Sequence, residues 1–125
     1  MRFVFAAALA FGLAGPAIAD DTDTFNVAGT GPDGNTYTGT VSITEQQLGE
    51  AVKGDVFKVV WTIGGQTTQG VAIVSEENRK VLAIGYIYQG KSGVAVMTEA
   101  DGKASGSWWV DGVPGTGTEV WTPAQ

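Results

Sequence analysis

Phe57, Val59, Trp61 and Ile63 alternate with Lys58, Val60 and Thr62, and Gly64-Gly65 follow at once. A period of two puts the first set on one face of a strand and the second set on the other. Two glycines accept the positive φ of a tight turn, so the chain doubles back along Gln66 to Val74 as a hairpin. The same grammar recurs on both sides. Tyr37, Gly39, Val41 and Ile43 share one face, against Thr36, Thr38, Thr40, Ser42 and Thr44 on the other. Leu82, Ile84, Tyr86 and Tyr88 are in register within Val81 to Tyr88. Further strands are predicted over Thr24 to Gly31, Gly93 to Glu99, Lys103 to Val110 and Gly115 to Thr122. Turn chemistry separates them: Pro32-Asp33-Gly34-Asn35, Gln89-Gly90-Lys91-Ser92, and the two-residue hairpin signals Asp101-Gly102 and Asp111-Gly112. A charged connection, Ser75 to Lys80, precedes Val81.

One stretch departs from the pattern. From Glu45 to Gly54, Thr44 with Gln47 matches a capping box, and Leu48, Ala51 and Val52 have helical spacing. Either a short helical turn or an irregular surface loop fits here.

The strands carry a weak internal repeat, a glycine followed by an apolar-rich tail. It is seen at Gly39-Thr40-Val41, Gly70-Val71-Ala72, Gly85-Tyr86-Ile87, Gly93-Val94-Ala95, Gly106-Ser107-Trp108 and Gly117-Thr118-Glu119. Glycine weakens a strand and is kept where a sheet bends sharply or backbones approach closely. One glycine in nearly every strand therefore implies strong curvature. The strand count is about eight, a common size for a small closed barrel. A sandwich would satisfy the turn spacing too. Short hairpin connections favour an all-β, antiparallel up-and-down barrel, which also hides its edges.

The chain begins Met1-Arg2, runs apolar from Phe3 to Ala14, breaks at Gly15-Pro16 and reaches Ala17-Ile18-Ala19. This is the pattern of a secretory signal peptide over residues 1–19, leaving one domain over residues 20–125. The apolar run is shorter than the roughly 20 residues a bilayer span needs. No cysteine is present for a lipid anchor or a disulfide. The expectation is a periplasmic or secreted protein with no membrane span, held together by packing and strand pairing. Asp20-Asp21-Thr22-Asp23 then reads as a frayed, solvated terminus rather than a calcium site, because calcium needs a shaped loop with more oxygens.

Thirteen acidic residues face 7 basic ones, for a net charge of −6. Nucleic acid and anionic membranes are poor partners for such a chain. With no His and no Cys, Ser-His and Cys-His nucleophilic centres and typical zinc sites are excluded. The glycines precede no helix start, so no phosphate loop is built. No cofactor or metal site is expected, and the residues do not suggest an enzyme. Lys91-Ser92 sits on a turn and reads as solvated. Glu119 is the strongest carboxylate, since alternation places it with Gly117 and Trp121 on the inner face. A glycosidase-like pair would need Glu99, Asp55 or Asp111 beside it, and no spacing selects one. The plainer role is structural: a buried carboxylate accepting hydrogen bonds from nearby donors.

The aromatic residues are the other candidates. Trp61, Tyr86, Tyr88, Trp108 and Trp121 are expected to point inward, with Glu119. They either pack as a core or line a pocket for a small apolar ligand. Trp108 and Trp109 are neighbours and must face opposite sides, which leaves Trp109 for an outer partner surface.

The run of Gly39, Trp61, Gly70, Gly93-Val94-Ala95-Val96, Asp101-Gly102, Gly106-Ser107-Trp108 and Gly117-Thr118-Glu119 resembles small exported bacterial proteins, some of them labelled fibronectin-binding. In architecture it is similar to avidin-like and lipocalin-like barrels and to barrel inhibitors of lysozyme and metalloproteases. The resemblance implies a non-catalytic binding module with a protein or matrix partner. A carrier of a small apolar ligand and an inhibitor of an exported hydrolase are the alternatives. The cysteines common in the inhibitor families are missing.

Overall fold

Strand pairing follows the hydrophobic alternation. The computed structural model describes residues 22–46 and 55–124. Among these lie eight strands: β1 Thr22–Thr30, β2 Thr36–Glu45, β3 Val56–Ile63, β4 Gln66–Val74, β5 Val81–Tyr88, β6 Lys91–Ala100, β7 Lys103–Val110 and β8 Gly117–Pro123. Each pairs antiparallel with the next, and β8 pairs with β1 to close the barrel. The strand order is the up-and-down one expected from the sequence. A sandwich is ruled out by the β1–β8 seam, where Val27 faces Trp121 and Gly29 faces Glu119.

The inward residues are the ones the alternation selects. Phe25, Val27, Val41, Ile43, Phe57, Val59, Val74, Leu82 and Trp121 are buried side by side. A slip of one residue in any strand would turn its set out to water, so this burial fixes the register. Trp61 is 6% exposed and belongs to the same cluster.

Hairpin chemistry decides the connections. Gly64 and Gly65 have φ of 61° and 82°, and Asp101 and Gly102 have 56° and 81°. Two successive positive φ values make a two-residue turn whose twist matches the flanking strands. Gln89 and Gly90, at 51° and 80°, do the same. That turn is shorter than expected, and Lys91 and Ser92 belong to β6. Asp111-Gly112 is not a two-residue hairpin. Gly112 takes φ 88° while Asp111 stays out of the positive region. Val113 N–H donates to Val110 O at 3.1 Å, and Pro114, which has no N–H, delays pairing until Gly117.

Two other expectations change at the strand ends. Thr22 and Asp23 are strand residues paired with Thr44 and Ile43, not a frayed terminus. Thr44 and Glu45 complete β2 opposite Lys58 and Phe57, so Thr44 caps no helix. The helical turn proposed around Leu48, Ala51 and Val52 lies outside the described residues, as do the signal peptide and Asp20-Asp21.

The β1–β2, β3–β4, β5–β6 and β7–β8 connections gather at one end of the barrel. The β4–β5 and β6–β7 connections lie at the other. The two halves are filled differently. The second end is packed with Phe25, Ile43, Phe57, Val74 and Leu82. The first end is hollow.

Candidate functional site

The hollow half starts from three cross-strand pairs. Tyr37 stands opposite Gly29, Tyr86 opposite Gly93, and Trp108 opposite Gly117. In each pair the ring lies over the glycine, and a Cβ added there would collide with ring atoms. The missing side chain lets the ring lean against the wall instead of across the lumen. These glycines therefore do more than bend strands. They make room for aromatic walls, a pairing also used to restore packing where a strand glycine leaves a gap.

The result is a cavity of about 560 Å³, open at the hairpin end. Its walls carry Tyr37, Trp61, Tyr86, Tyr88 and Trp108, with Ala95 and Met97 between them. The rim is made by the Gly31–Thr36 turn, Ile63, Gln66, Val113 and Pro114. The long β7–β8 connection is thus part of the site.

Glu119 is the polar centre. It is 7% exposed and lines the cavity. Tyr37 Oη donates to its Oε2 at 2.6 Å. Trp61 Nε1 and Trp121 Nε1 donate to its Oε1 at 3.1 and 2.8 Å. Three donors and no acceptor suit an acceptor-only carboxylate. The aromatic contacts support the same point: Trp61 meets Tyr86 edge-on at 5.2 Å and Trp121 edge-on at 6.3 Å. Trp61 therefore anchors both the packed half and the floor of the cavity.

The phenols register this environment. Burial, then the hydrogen bond to Glu119 and its charge, hold Tyr37 well above the ordinary tyrosine range. The nearby Trp108 N–H acts in the opposite direction. Even so, Trp108 Nε1 is buried without a hydrogen-bond partner. Tyr86 is pushed up to about 12, by burial first and by Glu119 second. Its hydroxyl donates to Trp109 O at 3.0 Å, across Gly93.

Of the residues singled out in the sequence, Trp61, Tyr86, Tyr88, Trp108 and Glu119 come together on the cavity. Trp121 does not line it. That ring is fully buried beneath Glu119 and contacts Phe25 at 6.1 Å. Its strand runs from the open end inward, so two residues past Glu119 is already inside the packed half. Trp109 faces outward at 38% exposure, with its Nε1 donating to Val113 O at 2.8 Å. Tyr37 was missed as a site residue, although alternation had placed it on the inner face. Its contact with Glu119 spans β2 and β8, and only barrel closure brings them together.

The suggested carboxylate partners of Glu119 lie elsewhere. Glu99 accepts from Gly102 N at 3.1 Å and meets Lys80 Nζ at 3.5 Å, at the packed end. Asp55 pairs with Arg79 at 2.8 Å. Asp111 is exposed and does not line the cavity. The second carboxylate on the cavity is Asp33 at the rim, which accepts from Asn35 N at 3.0 Å and Asn35 Nδ2 at 2.8 Å. Among the described residues no group of three or more His, Cys, Asp or Glu could hold a metal ion.

Comparison with known proteins bears on the fold. No family model matches the chain, and no curated protein does. Among solved structures, a redesigned β-barrel aligns with TM-score 0.63 and 14% identity, over 82% of this chain and 90% of its own. The chain has a β-barrel fold. A point mutant of the fluorescent protein UnaG also aligns, with TM-score 0.47 and 16% identity over 82% of this chain and 95% of the other. At such identities the likeness concerns the fold, and the site must be read from its own residues.

Proposed function

We propose that the chain is an exported, non-catalytic barrel that binds a small, largely apolar molecule in its open half. The observation that carries this reading is the 560 Å³ aromatic cavity with one buried carboxylate at its floor. Its size lies in the ordinary range for small-molecule sites, and its lining has their usual character of many apolar groups and few polar ones. A barrel evolved only for rigidity would gain by filling that space, because each missing methylene costs dispersion contacts. Native mass spectrometry of the protein purified from its own source tests the reading. A retained small molecule, released on unfolding, is expected. No retained mass, together with no binding of the neutral probe N-phenyl-1-naphthylamine, would overturn it.

A second reading, a protein partner on the outer wall, is favoured by a different observation. Val71, Gly85, Val94 and Trp109 form one row across β4 to β7, with Ile73, Ala83, Val96 and Ser107 beside it. Val71 is 64% exposed, Ile73 56%, Val94 55% and Val96 50%. The eight residues of this patch are uncharged, Lys58 of β3 borders it opposite Val71, and a contiguous exposed apolar patch of this kind marks an interaction surface. A second copy of the chain fits it. Two acidic molecules can meet there without bringing like charges together, and one patch faces itself in a two-fold dimer. Sedimentation of the protein and of Val94→Lys would decide: a dimer that the substitution dissociates is expected, and a monomer at all concentrations would end this reading. Trp109, the residue the sequence left for a partner, lies in the same row.

A further inference from the structure

We propose that the cavity takes an organic cation, an amine or quaternary ammonium group carried on an apolar or aromatic body. The inference rests on the small-ligand reading and names its ligand class.

The charged residues on the cavity are Asp33 and Glu119, both acidic, and no Lys or Arg lines it. The three partners of Glu119 are neutral: one phenol and two indoles. They stabilise its carboxylate and leave its charge uncancelled. Charge at the floor of a cavity walled mostly by apolar side chains is screened less than charge on the open surface. Both cavity phenols feel it, since Glu119 contributes to the upward shift of Tyr37 and of Tyr86. The walls add to the same preference. Tyr37, Trp61, Tyr86, Tyr88 and Trp108 surround the space, and the face of an aromatic ring attracts a cation. A weakly hydrated ammonium sheds its water at small cost and exchanges it for ring faces. An anion would be brought against Glu119 and Asp33, with no cationic side chain on the lining to offset the repulsion. A neutral body gains apolar burial alone. Glu119 lies at depth and Asp33 at the rim, while the one ammonium at this end among the described residues, Lys91, sits by Gly112 outside the lining.

Three naphthalene probes of similar size separate the cases: (1-naphthylmethyl)trimethylammonium, its neutral carbon counterpart 1-neopentylnaphthalene, and 1-naphthylacetate. Equilibrium dialysis at low salt against the full protein should rank the cation tighter than the neutral probe by about tenfold or more, with the anion weakest. Glu119→Gln should bring the cation close to the neutral probe. Asp33→Asn, at the exposed rim, should narrow the gap in a protein whose interior is untouched, and it stands in if the first variant does not fold. Equal binding of cation and neutral probe would overturn the cation inference and leave the small-ligand reading standing. A preference that persists undiminished in both variants would overturn it as well. Binding of none of the three at millimolar concentration would overturn both.

Discussion

Glu119 costs the fold free energy if left alone and supports it when bonded. A buried carboxylate loses its hydration, and three hydrogen bonds, from Tyr37, Trp61 and Trp121, restore what water supplied. Glu119→Gln keeps the shape and weakens the charge-assisted bonds. It should lower stability by about 1–3 kcal/mol in urea unfolding at neutral pH, and an unchanged midpoint would show that the bonds are not structural. Trp61 carries more. It packs against Tyr86 and Trp121 and donates to Glu119. Trp61→Ala should cost about 3–5 kcal/mol, because it opens the core and removes one donor from the carboxylate. A loss below about 1 kcal/mol would contradict the packing described.

At the scale of the element, the unit is the glycine–ring pair between neighbouring strands. Gly93 is open to the Tyr86 ring, and that ring reaches past it to Trp109 O. Gly93→Ala must push the ring toward the lumen. Overpacking of this kind costs about 1–3 kcal/mol, and it narrows the cavity at the same time. The expected outcome is a weaker affinity for N-phenyl-1-naphthylamine with the barrel still folded by circular dichroism. Gly85→Ala is the control, because a Cβ there meets nothing within 4 Å and should leave the affinity alone. Loss of binding in both variants would deny the ring-seat role. Gly106 answers to a different cause. A Cβ on it would strike the backbone carbonyl of Val96, so it serves close approach of strands.

For the whole molecule, one barrel contains a packed half and a hollow half. Stability should be uneven in the same way. Hydrogen exchange is expected to be slowest around Val41, Val59, Leu82 and Trp121, and faster near the open end, where a cavity replaces buried contacts. A ligand in the cavity should raise the melting temperature and slow exchange at that end first. The alkaline limb of stability follows from Tyr37 and Tyr86. A phenol whose folded pKa is raised binds its proton more tightly in the folded state. Its contribution is fully present below the unfolded value of 10.0 and is lost as pH rises through the folded value, about 12 for Tyr86. The urea midpoint should therefore fall across that window. Tyr86→Phe, which cannot ionise, should flatten the fall, and an identical slope in wild type and variant would refute the assignment.

The sequence alone determined the strands, most of the turns and the inner face. A period of two and paired positive-φ residues act between near neighbours, and neither depends on what lies across the barrel. Trp61, Tyr86 and Glu119 were legible as inward residues for that reason. Other features needed three dimensions. Whether inward aromatic residues fill the space or frame it depends on which residue each ring faces on the next strand, and register sets this. Gly93 and Gly117 read as curvature in the chain, and with Gly29 they became ring seats only in the pairing. Tyr37 was out of reach because its partner lies 82 residues away and meets it only through the β1–β8 seam. Trp61 and Trp121 both read as inward in the sequence, yet Trp61 lines the cavity and Trp121 is buried below it, since depth along the axis is a property of the closed barrel. Asp111-Gly112 had the residues of a tight hairpin, and Pro114, unable to donate to the ladder, made it the rim of a site instead.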